Sequence, residues 1–480
     1  MTGWLDKRVI VIGAARQGVA VGRYLALHGA RVVMNDHKSD DQLKPVRQSL
    51  DESLGDQSSQ VEWSFGGHPL SLLDGADVVC VSGGVPLSLP LVEEAQKRGI
   101  QLTNDSQIFL EACPCRTIGI TGSAGKTTTT SLVGKIAEAA VSTSGGNTPY
   151  QKIWVGGNIG SPLLGAVEEM QPNDLVVLEL SSFQLELMTT SVNIACILNI
   201  TPNHLDRHAT MEAYTAAKAR ILEYQDATDM AVLGYDDPGA WALLGRVRGT
   251  KVSFGSHKPI TIGQGAFIDG DWVCLWTGQV VIRVLRQVEI PLRGWHNVEN
   301  VLAALAVSQA AGLPVEAMRE AVTAFTGVPH RLEWVASWKG ADWYNDSIAT
   351  APERVMAAIH SFESPADVNR PIVLLAGGRD KKLPWYELAK LIHDRVDHLI
   401  VFGEAADIIS AAVGPARNGY RPFSMDKCTG LQQAVDIAAQ VVETDDIVLL
   451  SPGGTSFDEF RDFEERGEAF KRWVLNLSCK

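Results

Sequence analysis

Short, uninterrupted apolar runs recur along this chain, each closing on a glycine or an acid, and they alternate with stretches whose apolar positions fall three and four apart. An unbroken apolar run fits a strand buried on both faces, and the three-and-four spacing fits a helix laid against it, so the pattern predicts parallel sheets covered by helices. Three such regions follow one another: 1–111, 112–328 and 329–480. In the first, Arg8-Val9-Ile10-Val11-Ile12-Gly13 predicts a strand, the turn from Gly13 to Gly18 leads into a helix through Val21 and Leu25, and Arg31-Val32-Val33-Met34-Asn35-Asp36 predicts a second strand. This is a Rossmann-like opening. Its glycines form only G-x-x-x-x-G, so Gly13, Gly18 and Asp36 fit either a nucleotide-diphosphate or uridine site or a strand-turn-helix unit that needs glycine for packing. Asp77-Val78-Val79-Cys80-Val81 predicts a further strand, and the Ser82-Gly83-Gly84 loop leaves its end.

The second region holds the stretch around which the rest is organised, Thr117-Ile118-Gly119-Ile120-Thr121-Gly122-Ser123-Ala124-Gly125-Lys126-Thr127-Thr128-Thr129-Thr130. A β-branched run feeds a glycine turn, and a lysine and threonines open a helix continuing through Leu132, Val133 and Ile136. Glycines let backbone N–H groups close around an anion, the helix N-terminus adds positive field, the lysine neutralises phosphate charge and a hydroxyl can reach Mg²⁺. The loop is the short variant T-G-x-x-G-K-T-T. Leu175-Val176-Val177-Leu178-Glu179 predicts a strand delivering a carboxylate to the same rim, where a hard cation beside phosphates needs an oxygen ligand. Ala195-Cys196-Ile197-Leu198-Asn199-Ile200 repeats the arrangement and delivers Thr201 through His208, with His204 among polar neighbours.

In the predicted helix Met211–Leu222, positions 211, 214, 218, 221 and 222 share one face, which places Lys218 on the apolar stripe. A buried ammonium is costly, so the amine either pairs with an acid, or titrates low enough to be neutral and nucleophilic, or snorkels to water. From Thr250 to Arg293 short β-prone stretches suggest a small β appendage with a hairpin at Gly278. Gly294 to Asn300 then caps a long helix, with the amides of Asn297 and Asn300 one turn apart. In the third region Pro371–Gly378, His398–Gly403 and Ile447–Gly454 predict strands running into glycine loops, a second Rossmann-like sheet.

Composition narrows the function. The 480 residues are 45% hydrophobic and 20% charged, a globular composition with room for three cores. A formal charge of −14 with no basic stripe excludes a nucleic-acid partner. No run is long enough to span a bilayer, the N-terminus lacks a signal-peptide plan, and the seven cysteines (80, 113, 115, 196, 274, 428, 479) are odd in number with no C-x-x-C pair. Reduced core thiols and a cytoplasmic address are the expectation.

Taken together these stretches resemble the Mur ligase family, and within it the MurD-type members that join glutamate to UDP-N-acetylmuramoyl-L-alanine. The resemblance rests on Thr121 to Thr128, Gly156-Gly157-Asn158-Ile159-Gly160, Glu179 to Glu186, Asn203 to His208, Ala217-Lys218, His296-Asn297, Pro329 to Glu333, Asn345-Asp346-Ser347 and Leu450-Ser451-Pro452. It implies three α/β domains: a uridine-nucleotide domain, an ATPase domain and a domain that takes the amino acid. It implies ATP contacts from Gly122, Ser123, Ala124, Gly125, Lys126, Thr127, Thr128, Asn297, Arg331 and Asp346. Thr127 and Glu179 would hold a first Mg²⁺, and His204 with a carbamylated Lys218 a second. Gln17 and Asp36 would hold the uridine diphosphate, Asn158 and Ser181 would face the muramoyl-alanine, and Lys381, Ser456 and Phe463 would hold glutamate. Lys126, Glu179, His204, Lys218 and Arg331 would carry catalysis, through an acyl phosphate on the alanyl carboxylate, in a monomer acting on small molecules alone.

Two positions depart from the family's pattern. Ala124 stands where the loop often has asparagine, and Ile348 stands where some members carry a lysine near the glutamate carboxylate. The second departure leaves D-glutamate as the default and L-glutamate open. A folylpolyglutamate-synthase-like ligase would share the ATP machinery without the uridine domain. An NAD-dependent oxidoreductase would leave the phosphate loop unused, and a catalytically dead sensor would lack the metal carboxylate.

Overall fold

The computed structural model describes residues 3–143, 148–160, 162–202, 208, 210–258, 263–363 and 367–477. Two compact units divide the chain: Met1–Pro291 with Trp295–Phe325, and Leu292–Gly294 with Thr326–Lys480.

The first unit holds two sheets. β1 (Arg8–Ile12), β2 (Arg31–Asn35), β3 (Val61–Ser64), β4 (Val78–Val81) and β5 (Gln101–Thr103) pair in the order β3-β2-β1-β4-β5, all parallel. The chain steps outward from β1 on both sides, so the ends of β1 and β4 form the crevice where such sheets take ligands. Ile12 pairs with Val81, and the chain leaves both strands at one level. There Gly13 is at φ +98, and a Cβ on Gly18 would lie 1.8 Å from the Gly13 carbonyl oxygen, so this turn closes only with glycine at 18.

The second sheet comprises β6 (Arg116–Thr121), β7 (Ile153–Gly157), β8 (Leu175–Glu179), β9 (Ile194–Ile197), β10 (Met230–Gly234), β11 (Thr250–Phe254), β12 (Gly265–Asp269), β13 (Trp272–Trp276) and β14 (Val281–Arg286). Their order is β14-β13-β12-β11-β10-β9-β6-β8-β7. From β7 to β12 the pairing is parallel, and β12, β13 and β14 are antiparallel. The expected β appendage is thus the edge of the central sheet itself, joined through two register positions, Ser253 with Gly265 and Phe254 with Ala266. Short β-prone stretches mark such strands but not what they pair with. The expected cap at Gly294–Asn300 is already helix from Trp295, so Asn297 and Asn300 sit inside the first turns of Trp295–Ala310.

β8 and β9 flank β6, with Ile120 opposite Glu179 and Thr121 opposite Ile197, so three strand ends share a rim. The helix Lys126–Thr143 that follows buries Leu132, Val133, Ile136, Ala137 and Ala140 completely. One continuous apolar core runs from Val9 and Val11 through Phe109 and Leu164 to Val176 and Leu178, joining both sheets. Among the described residues no helix is long and apolar enough to cross a membrane.

In the second unit β15 (Glu333–Trp338), β16 (Ala341–Asn345), β17 (Ile372–Gly377), β18 (His398–Phe402), β19 (Ser424–Cys428) and β20 (Ile447–Gly453) pair in the order β15-β16-β20-β17-β18-β19. All are parallel except β15. Trp343 is fully buried beside Phe470 and Trp338, and its Nε1–H has no partner among the described residues. Trp343→Ala is expected to destabilise this unit by about 3–5 kcal/mol. Trp343→Phe should cost less than half of that, because removing an unpaired buried N–H offsets part of the lost volume. Urea denaturation followed by circular dichroism measures both, and equal losses would contradict this reading of the indole.

Candidate active site

The loop after β6 is locked before any ligand arrives. Gly125 sits at φ +82, and a Cβ there would lie 2.2 Å from the Asn300 side-chain oxygen. Asn199, at the end of β9, accepts from the Ala124 N–H through its side chain (2.8 Å) and from the Ser123 N–H through its carbonyl (3.0 Å). Ser123 Oγ donates to the Thr201 carbonyl (2.9 Å) and Tyr214 Oη donates to Ser123 Oγ (3.1 Å). The loop therefore has one backbone shape, open to an anion at the helix N-terminus. Lys126 Nζ lies over it, donating to the carbonyls of Gly122 (2.9 Å) and Ser123 (3.3 Å). Thr128 is buried in the first turn of the helix.

Glu179 ends β8 with 2% of its surface exposed. One carboxylate oxygen accepts from Thr127 Oγ1 and the other from Asn158 Nδ2, both at 2.8 Å. A carboxylate, a hydroxyl and an amide oxygen are hard donors, and a divalent ion such as Mg²⁺ fits that set. Asn158 is placed by Gly157, which at φ +94 packs so closely on Glu179 that a Cβ would come within 2.3 Å of its carbonyl oxygen.

Lys218 is 1% exposed. Its Nζ donates to the Gly122 carbonyl at 2.8 Å and to Thr121 Oγ1 at 3.4 Å, and lies 4.7 Å from the centre of the Tyr214 ring. Burial, reinforced by the nearby Lys126 charge and opposed by Glu179, pushes its pKa down to about 6. At neutral pH it is largely an uncharged amine on the rim of the phosphate loop. Snorkelling is thereby ruled out.

Tyr214 and Asn199 escaped the sequence reading as site residues, although Tyr214 stands on the predicted face one turn before Lys218. Buried His208 adds a ring stack with Phe183 (5.1 Å) and a hydrogen bond with Ser182 Oγ (2.9 Å). His204 lies outside the described residues. Asn297 accepts from Asn300 Nδ2 (3.1 Å), which ties it to the loop through Gly125.

On the first sheet, Gln17 Nε2 donates to the Gly157 carbonyl (2.9 Å), so the Gly13–Gly18 turn meets the Glu179 segment directly. Ser181 caps the short helix Ser182–Leu185 in a reciprocal box with Gln184. Asp36 is 7% exposed and accepts from the amides of Ala14 (2.8 Å) and Lys38 (3.0 Å). Burial opposes its charge, but those amides and His37 hold its carboxyl below the ordinary value. A cavity of about 120 Å³ opens between the Ser82–Ser88 segment and Phe183, Glu186 and Leu187, at the carboxyl end of β4.

In the second unit, Asp346 is buried and accepts from Ser451 Oγ (2.8 Å) and the Leu332 amide (3.2 Å). Burial outweighs these bonds and pushes its pKa up to about 7. Arg331 sits between His330 (φ +64) and Leu332 (φ +43), on a backbone in the left-handed region on both sides. Lys381 Nζ donates to Thr350 Oγ1 (3.1 Å), Ser456 is buried, and the Phe463 carbonyl accepts from Ser347 Oγ (2.8 Å).

Three domain models match successive stretches of this chain. They are the Mur ligase MurD-like N-terminal domain over residues 7–104, the Mur ligase middle domain over 120–308, and the Mur ligase glutamate ligase domain over 330–454. The chain belongs to the Mur ligase family. It is 40% identical to the UDP-N-acetylmuramoylalanine--D-glutamate ligase of Symbiobacterium thermophilum, over 99% of both chains. It is 39% identical to the enzyme of the same name from Pelotomaculum thermopropionicum, over 98% of both. Among solved structures, UDP-N-acetylmuramate-alanine ligase MurC of Thermotoga maritima matches at TM-score 0.54 and 17% identity, covering 98% of this chain and 99% of that one. E. coli FolC in complex with ADP, without folate substrate, matches at TM-score 0.54 and 15% identity, covering 82% and 99%. These last two show that this Mur ligase shares their fold.

The low pKa of Lys218 carries a sign. Between about 6 and 10.5 the unfolded chain binds a proton at this lysine that the native state lacks, so the lysine makes stability rise with pH through that window. The slope is at most about 1.4 kcal/mol per pH unit. Lys218→Met should therefore stabilise the protein most at the acid end, and its advantage should shrink as pH rises. Denaturation of both proteins at several pH values between about 6 and 9 measures the difference. A gap independent of pH would mean that the amine is charged when folded.

Proposed function

We propose that this Mur ligase joins UDP-N-acetylmuramoyl-L-alanine to D-glutamate, with ATP converted to ADP and phosphate, a step in building peptidoglycan precursors. The observation that carries this reading is likeness along 99% of the chain to a ligase named for that reaction. The chemistry on the rim agrees with it. A carboxylate is a poor electrophile until a phosphoryl group is placed on it, and the anions that must meet repel one another. Lys126 and the amides at the helix N-terminus would hold the phosphates and disperse that charge. Mg²⁺ bound by Thr127 and Glu179 would supply further positive charge beside them.

In the reaction the alanyl carboxylate oxygen attacks the terminal phosphorus and ADP leaves. The glutamate amine then attacks the acyl carbon, and phosphate departs as the amide forms. Asn158 and Ser181 would orient the alanyl end, and Gln17, Asp36 and the segment after Val81 the uridine diphosphate. Gln17 and Asn158 meet the same Gly157–Glu179 segment, which supports one continuous substrate path from the first sheet to the phosphate loop. Arg331, Asp346 and Asn297 would contact ATP, and Lys381, Ser456 and Phe463 glutamate. Lys218, largely neutral at pH 7, is suited to attack CO₂, forming an N–C bond and releasing a proton; the carbamate, with His204, would hold a second Mg²⁺.

L-glutamate is the second reading, left open by Ile348, which brings no charge where some members of the family carry a lysine near the glutamate carboxylate. ADP release should require the UDP-muramoyl-alanine acceptor and glutamate together, with D-glutamate turned over at least ~100-fold faster than L-glutamate. Turnover indifferent to the acceptor would refute the assignment, and preference for the L-isomer would select the second reading. For the carbamate, ¹³C-enriched CO₂ should give a protein carbamate resonance in the wild type that Lys218→Arg abolishes.

A further inference from the structure

We propose that Cys113 and Cys115 form a reversible oxidation site, a dithiol that a hydroperoxide converts into a disulfide within one chain. Cys113 terminates the helix Asp105–Ala112, its amide donating to the Phe109 carbonyl at 2.9 Å, and Cys115 stands immediately before β6. Pro114 between them has a fixed φ, so both side chains leave a stiff one-residue hinge. Their sulfurs lie 3.4 Å apart. A disulfide needs about 2.05 Å, so closure requires an approach of about 1.4 Å, within reach of small side-chain rotations. Cys80, Cys196, Cys274 and Cys428 are each buried within a strand, and among the described residues no other two thiols touch.

The two sulfurs are unequal. Cys113 is partly exposed, while Cys115 is 8% exposed. Either sulfur can donate across this contact, and Cys113 Sγ also lies 3.7 Å from the Cys115 carbonyl. The contact with Cys115, opposed by burial, moves the pKa of Cys113 below the ordinary thiol value. The same contact, added to burial, moves the pKa of Cys115 up. A partly exposed thiol of lowered pKa in contact with a buried second thiol is the arrangement that reacts, through its thiolate, with peroxides and then resolves.

The steps balance with a hydroperoxide as sole oxidant. Cys113 thiolate attacks the terminal peroxide oxygen; an S–O bond forms, the O–O bond breaks, and the departing alkoxide takes a proton to become an alcohol, or water from H₂O₂. Cys115 sulfur then attacks the Cys113 sulfenic sulfur. The S–S bond forms, the S–O bond breaks, and the hydroxyl leaves as water with the Cys115 proton. Two thiols lose two electrons and one peroxide gains them. The bond would close on the segment joining the last helix of the first sheet to the strand that carries the phosphate loop.

The experiment uses the full chain, treated with a small excess of H₂O₂, then alkylated and mapped by mass spectrometry under non-reducing conditions. The expected result is loss of both labels on the peptide containing 113 and 115, restored by dithiothreitol, while the labels at 80, 196, 274 and 428 remain. In Cys115→Ser, dimedone should trap a sulfenic acid at 113, and in Cys113→Ser, oxidation at 115 should slow by about tenfold or more. Both labels surviving in the wild type would overturn the proposal, as would a disulfide formed only between chains. Equal oxidation rates in the two variants would overturn the division of roles. The wild-type map does not depend on how either variant folds.

Discussion

A buried amine beside a phosphate loop is the constraint on which this rim is built. Taking an ammonium out of water is costly enough that Lys218, at 1% exposure, stays largely uncharged at neutral pH. It donates to Thr121 Oγ1 and to the Gly122 carbonyl, which also accepts from Lys126. Two lysines converge on one carbonyl, and two full charges there would repel. Lys126 is half-buried at the mouth of the loop, and Lys218 is buried behind it. In the proposed reading the arrangement sorts one chemical type into two functions, one lysine for phosphate and a neutral nucleophile behind it.

That sorting depends on strand registers set far from the chemistry. Ile120 opposite Glu179 and Thr121 opposite Ile197 bring three strand ends level, so the loop, the carboxylate and Asn199 emerge together. A one-residue slip would turn Glu179 to the other face. Gly157 fixes the remaining coordinate, since only a residue without Cβ can approach the Glu179 backbone so closely and leave Asn158 reaching its side chain. On the other sheet the Gly13–Gly18 turn meets this segment through Gln17, which couples two crevices that each lie at a reversal of strand order.

Much of this was legible in the sequence because each piece carries a local signal. Continuous apolar runs gave the parallel strands, since burial on both faces leaves no polar alternation. Helical spacing put Lys218 on a buried face before any coordinates. What the sequence could not convey is pairing between distant segments. Strands 250–286 read as an appendage because short β-prone stretches do not reveal their partners, yet β11 pairs with β10 along its length and two further register positions carry β12–β14 onto the central sheet. Asn297 and Asn300 read as caps because amides favour helix ends, but Asn300 Oδ1 is wedged against Gly125 from inside a helix, a contact that depends on tertiary placement alone. Tyr214 and Asn199 were missed for a similar reason: their hydrogen bonds to the loop span long stretches of sequence and carry no motif.

In the proposed reading, recognition of an acidic amino acid poses a different electrostatic problem in the second unit. Arg466 is almost wholly buried, yet its guanidinium hydrogen bonds go to Ser347 and the Gly454 carbonyl, so it holds the scaffold together. Burial lowers its pKa to about 10, outweighing the Asp458 and Glu459 carboxylates that pull it up. Lys381 feels that charge: burial, then Arg354 and Arg466, hold its own pKa below the ordinary lysine value. Where burial and neighbouring cations disfavour the charge of a lysine, an entering carboxylate improves the electrostatics. Lys381 already reaches Thr350 Oγ1, so amine and hydroxyl can act on one substrate oxygen cluster without rearrangement. In the proposed reading, Ile348 removes one point charge but leaves a positive field in this unit, and discrimination between D- and L-glutamate then falls on where the amine can sit rather than on how strongly the carboxylate is held.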